Sequence, residues 1–114
     1  MSHSLLTLNL GEGSVSFSFS PEAALSLKGT IDQLMASLKA VSTQGGAGKK
    51  TPHPAMEYCH TGEVFLELFC NPNIWPSPFA AKVLITLRDD RIRLTSEAEL
   101  TRVIEDLNQY IEQN

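Results

Sequence analysis

The chain has 114 residues, with 9 Lys+Arg against 13 Asp+Glu, and 42% of it is hydrophobic. That length fits one domain over 1–114, and that apolar share excludes a disordered tail. A net charge of −4 disfavours nucleic acid, which needs a basic field, and no run approaches the ~20 apolar residues of a membrane span.

The stretch from Met1 to Leu8 has no basic run and no continuous apolar core, so no signal peptide is expected. Residues 14–20 then alternate without a fault: Val15, Phe17 and Phe19 against Ser14, Ser16, Ser18 and Ser20. This is the period of a half-buried strand. A hairpin centred on Glu12-Gly13 would pair Leu10 with Val15, Leu8 with Phe17 and Leu6 with Phe19, all on one face.

Ser20-Pro21-Glu22 opens a helix over about 21–42. Serine caps it, proline suits the first helical position, and glutamate complements the dipole. Ala24, Leu27, Ile31, Leu34, Leu38 and Val41 form one apolar stripe. Residues 43–54 hold three glycines and two prolines, which predicts a mobile loop. Its Gly48-Lys49-Lys50 superficially suggests a phosphate loop. The motif fails, because Thr43 stands where glycine is needed and Lys50 where Ser or Thr is needed.

A second hairpin is expected over 55–70, turning at Thr61-Gly62, with Cys59 facing Val64. Val64, Leu66, Leu68, Cys70 and Cys59 then share one face. Met56, Tyr58, Phe65 and Phe69 share the other with His60, Glu63 and Glu67. Both faces carry apolar side chains, which an antiparallel sheet with one wet face should not show. In that register Cys70 lies ~20 Å from Cys59, too far for a disulfide. With no export signal, both read as small, buried, reduced cytosolic thiols. Cys59 and His60 point to opposite faces and no metal-ligand spacing occurs, so no metal is expected.

The loop 71–78 holds three prolines and the single Trp75, with Ile74 beside it. A third hairpin, Lys82–Leu87 with Arg91–Leu94, turns at Asp89-Asp90. Val83, Ile85, Leu87, Ile92 and Leu94 lie on its apolar face, and Leu84, Thr86, Arg88, Arg91 and Arg93 on the other. Ser96 followed by Glu99 has the capping-box form, and Leu100, Val103, Ile104, Leu107, Tyr110 and Ile111 stripe a helix over about 97–112. Its acids, Glu97, Glu99, Glu105, Asp106 and Glu112, are natural surface partners for the arginines. The order ββ-α-ββ-ββ-α predicts an α+β domain: a curved antiparallel sheet of three hairpins with two amphipathic helices on one face.

Function is weakly marked. Cys59 or Cys70 with His53 or His60 lacks a third residue to make a nucleophilic site, and no catalytic motif or cofactor signature occurs, so the chain leans away from being an enzyme. The leading expectation is a non-enzymatic cytosolic protein-interaction module, a homodimer or a subunit or assembly factor of a larger complex. Tyr58, Phe65, Phe69, Trp75 and Ile74 are its candidate contacts. The competing expectation is a small-molecule or anion binder, enzymatic or not, using Lys49, Lys50, Arg88, Arg91 and Arg93.

Overall fold

The computed structural model describes residues 5–43 and 52–114. The chain is an α+β protein built in the expected order, but its hairpins divide between two sheets. Strands β1 (Leu5–Leu10) and β2 (Gly13–Ser18) form a two-stranded antiparallel sheet. The register is slipped by two from the expected one: Leu8 pairs with Val15 and Leu6 with Phe17. Gly13 explains the slip. It closes the turn opposite Leu10 with φ +128°, a conformation residues with a Cβ rarely adopt. A slip of two leaves every side chain on its expected face, so Leu6, Leu8, Phe17 and Phe19 are buried.

Helix α1 (Pro21–Thr43) starts as its sequence dictates. Ser20 Oγ accepts from Ala23 N at 3.1 Å, and Ser20 O accepts from Ala24 N at 2.9 Å. All six residues of the apolar stripe are buried. Residues 44–51, most of the expected mobile loop, lie outside the described residues.

Strands β3 (Met56–Thr61), β4 (Phe65–Cys70), β5 (Lys82–Arg88) and β6 (Arg93–Glu99) form a four-stranded antiparallel meander in that order. Here the expected middle register is wrong. Thr61 pairs with Phe65, so Cys59 faces Glu67 and not Val64. Residues 62–64 make the turn, with Gly62 N donating to Val64 O at 3.1 Å. The shift is three residues, an odd number, and it reverses the faces of β3. Met56 and Tyr58 turn inward with Leu66, Leu68 and Cys70, while Cys59 turns outward and is exposed. Burying two large side chains in place of one small thiol removes more apolar surface from water. The Tyr58 hydroxyl keeps a partner, donating to Ala23 O at 3.3 Å. His60 turns inward too and meets the Phe19 ring edge-on at 5.0 Å between centroids, so it does not share a face with Glu67. Both cysteines are free, and burial pushes the Cys70 thiol up from its ordinary pKa.

The third hairpin turns over four residues, not two, because Arg88 pairs with Arg93. Ile92 therefore sits exposed in the turn and not on the apolar face. Asp89 builds that turn: its Oδ1 accepts from Arg91 N at 2.8 Å and Ile92 N at 2.9 Å. These two backbone donors hold its carboxyl below the usual carboxylate range. A carboxyl lowered in the fold stabilises above its unfolded pKa, and the contribution is lost as pH falls through its folded pKa. Asp89→Asn keeps an acceptor but loses the charge. Urea melts should show wild type ahead of the variant at neutral pH, with the gap closing in acid. A gap that does not change with pH would remove Asp89 from that role.

Strand β6 runs on through Ser96 to Glu99, so Ser96 does not cap a helix. Pairing Ala98 with Val83 buries both and completes the ladder of β5, which outweighs a cap. Helix α2 (Leu100–Gln113) instead has its first free donor met by the residue before β5, Leu100 N to Ala81 O at 3.0 Å. The inner face of the four-stranded sheet, the first hairpin and both helices contribute to one hydrophobic core. Tyr110 donates from its hydroxyl to Phe19 O and ties α2 to the end of β2.

Candidate functional site

Among the described residues the four-stranded sheet is covered on one face only. On the other, the registers set out a grid of side chains across β3, β4, β5 and β6. One row reads Thr61, Phe65, Arg88, Arg93; the next Cys59, Glu67, Thr86, Thr95; the third Glu57, Phe69, Leu84, Glu97. Phe69 is 36% exposed and Leu84 40% exposed, whereas Thr86 at the centre of the grid is only 8% exposed. Phe65 is half-buried beneath the Arg88 guanidinium, which sits 4.3 Å from the ring centroid. That geometry is a cation–π contact. Strand alternation creates this face, since the same strands send Leu66, Leu68, Val83, Ile85 and Leu87 into the core.

Of the five residues expected to form a contact patch, Phe65 and Phe69 lie on the open face, four residues apart along β4 with Glu67 between them. Tyr58 is inside the core, for the register reason given above. Trp75 is half-buried against the core. Ile74 is exposed at the end of the 3₁₀ turn Pro72–Ile74. That turn is well held: Asn71 Oδ1 accepts from Asn73 N at 3.0 Å, and Asn73 exchanges bonds of 2.9 and 2.8 Å with the backbone of His53. Leu84 belongs to the patch but was not singled out in the sequence; its alternation with Thr86 and Arg88 was the available signal.

The basic candidates separate as well. Arg88 and Arg93 stand directly opposite each other on the open face, while Arg91 is in the turn. Among the described residues no carboxylate lies within 4 Å of the guanidinium of any of the three. Lys49 and Lys50 lie outside the described residues.

The acids of the second helix do not pair with these arginines. Glu97 and Glu99 are in β6, and Asp106 turns inward to receive Asn9 N at 2.8 Å and Asn9 Nδ2 at 2.9 Å. A cleft of about 410 Å³ opens where the turn after β1 meets β6. Lys82 and Arg102 line it together with Glu97 and Glu99, so its charges balance and leave no field to draw an anion. Among the described residues no group of three or more His, Cys, Asp or Glu comes together in a way that could hold a metal ion. No described helix is long and apolar enough to cross a membrane.

Comparison with known proteins finds no family model, no curated protein and no solved structure that this chain matches.

Proposed function

We propose that this chain is a non-enzymatic, cytoplasmic protein-interaction module that binds another protein chain through the open face of its four-stranded sheet. One observation carries the reading: Phe69 and Leu84 pair side by side, with Phe65 four residues along the same strand, on a regular face that no described helix covers. Aromatic side chains on a fixed scaffold bind with little loss of conformational freedom, and contiguous apolar patches on a surface mark contact sites. The free thiols Cys59 and Cys70 support a reducing compartment.

The test compares wild type with Phe65→Asp. Association, whether with a second copy or with a protein retained from the native source, should be lost. The melting temperature should stay nearly unchanged, because the ring serves no core. Association that ignores Phe65, Phe69 and Leu84 alike would sink the reading.

An anion-binding function has one observation in its favour. Arg88 and Arg93 oppose each other without a carboxylate partner among the described residues, and like charges directly across a ladder repel. A bound phosphate would relieve that repulsion and raise the melting temperature by mass action. A thermal-shift series with inorganic phosphate that matches a chloride control would dismiss this second function.

A further inference from the structure

We infer that the chain occupying the open face is a second copy of this one, stacked sheet on sheet about a twofold axis that runs parallel to the strands between β4 and β5. This rests on the reading of that face as an interaction surface and names the partner. The argument is the complementarity of the two middle strands.

A twofold axis in that position keeps each row level and lays β4 of one copy over β5 of the other. The outward residues of β4 are Phe65, Glu67 and Phe69, and those of β5 are Arg88, Thr86 and Leu84. Stacked, Phe65 meets the partner's Arg88, Glu67 the partner's Thr86, and Phe69 the partner's Leu84. The first pair repeats between copies the cation–π contact that already exists within one. The second gives a carboxylate a hydroxyl donor at the centre of the interface. The third is apolar on apolar.

The other twofold axis that stacks these faces runs across the strands. It would place Arg93 against the partner's Glu97, a favourable pair at the rim. It would also place Glu67 against its own copy in the middle of the interface. Like charges enclosed together cost far more than an exposed rim pair returns. The strand-parallel axis sets Glu67 one strand spacing to the side of the partner's Glu67, each over a threonine hydroxyl and not face to face, and places Glu57 against the partner's Glu97 at the rim. Water and salt screen that repulsion.

The face sets the strength of the pairing. Four strands by six residues span roughly 19 by 20 Å, or roughly 400 Å² in projection on each copy, which falls below the specific range and in that of weak, transient contacts. A dimer in rapid exchange with monomer is expected, weaker than an obligate dimer.

Sedimentation velocity and light scattering over a dilution series test this directly. The mass should double as concentration rises through the micromolar range. Phe69→Asp should hold the chain at monomer mass with an unchanged circular dichroism spectrum, and Leu84→Lys should do the same should Phe69→Asp fail to fold. Glu97→Gln removes the rim repulsion and should tighten the dimer several-fold, and added sodium chloride should tighten it too. A dimer weakened by Glu97→Gln or by salt would overturn the strand-parallel stacking, since the crosswise arrangement depends on that carboxylate. Monomer mass at every concentration would overturn self-pairing, whereas the interaction reading would stand if a different protein still binds wild type and is lost with Phe69→Asp. Association indifferent to both Phe69 and Leu84 overturns the two together.

Discussion

Phe17→Ala should destabilise the fold by ~3–5 kcal/mol, the range for deleting an enclosed aromatic ring. Phe17 is 4% exposed and pairs across the hairpin with Leu6, which is itself buried. Its ring meets that of Phe19 edge-on at 5.7 Å between centroids, a favoured aromatic arrangement. Truncation would strip both neighbours of contact and leave a cavity. The hairpin cannot collapse into that space without breaking the register that Gly13 fixes. A domain of this size holds about 5–15 kcal/mol in total, so the loss is a large share. Urea melts at constant slope measure it. A change under ~1 kcal/mol would mean that the first hairpin is a loose flap and not part of the core.

The sequence showed most where one periodicity stood alone. Ser14 to Ser20 alternates so cleanly that a two-residue error in register changed no face, and the stripe from Ala24 to Val41 admits only one helix. It showed least where two patterns compete. In 63–70 both parities are apolar, Leu66 and Leu68 against Phe65 and Phe69, so β4 alone cannot tell inside from outside. β3 is as ambiguous, with Met56 and Tyr58 on one parity and Cys59 on the other. The length of the turn then decides the faces, and the sequence around Thr61-Gly62 permits either length. Ser96 and Glu99 imitate a capping box because local chemistry cannot see a neighbouring strand; the β5 ladder from Lys82 to Ile85 overrides it. The division into two sheets depends on contacts between distant segments, which no local pattern records.

The open face was half legible for the same reasons. Phe65 and Phe69 stood out as aromatics at strand spacing, and Leu84 was visible only as an apolar residue among Thr86, Arg88 and Arg93. Tyr58 was misplaced by the odd shift. Asp106 counts among the acids of α2 by composition, yet it lies between Val103 and Tyr110 on the buried side of the stripe. A lone acid inside an apolar stripe signals a buried partner, and here that partner is Asn9.

That partnership yields the second large effect. Asp106 is 8% exposed, and its two carboxylate oxygens accept from the backbone and the side chain of Asn9. Arg102 contributes little, with Nε 3.8 Å from Oδ1 and its side chain about half exposed. The Asp106–Asn9 bonds span 97 residues and clamp α2 onto β1. Hydrogen bonds to a charged group contribute ~1.5–3 kcal/mol each. Enclosing the carboxylate takes back part of that gain. Asp106→Ala should therefore cost about 3 kcal/mol, chiefly because the Asn9 N–H is left half-buried without an acceptor. Asp106→Asn should fall in between, since it keeps one oxygen but turns an amide NH₂ toward a donor. Asn9→Ala removes only the side-chain bond and should cost less than either. The double variant Asn9→Ala with Asp106→Ala should lose less than the sum of the single variants, because the two residues share one interaction. Urea melts of the four proteins give each value. Strict additivity would show that the side-chain bond between Asn9 and Asp106 holds no energy of its own, and a loss under ~1 kcal/mol for Asp106→Ala would dismiss the backbone bond as well.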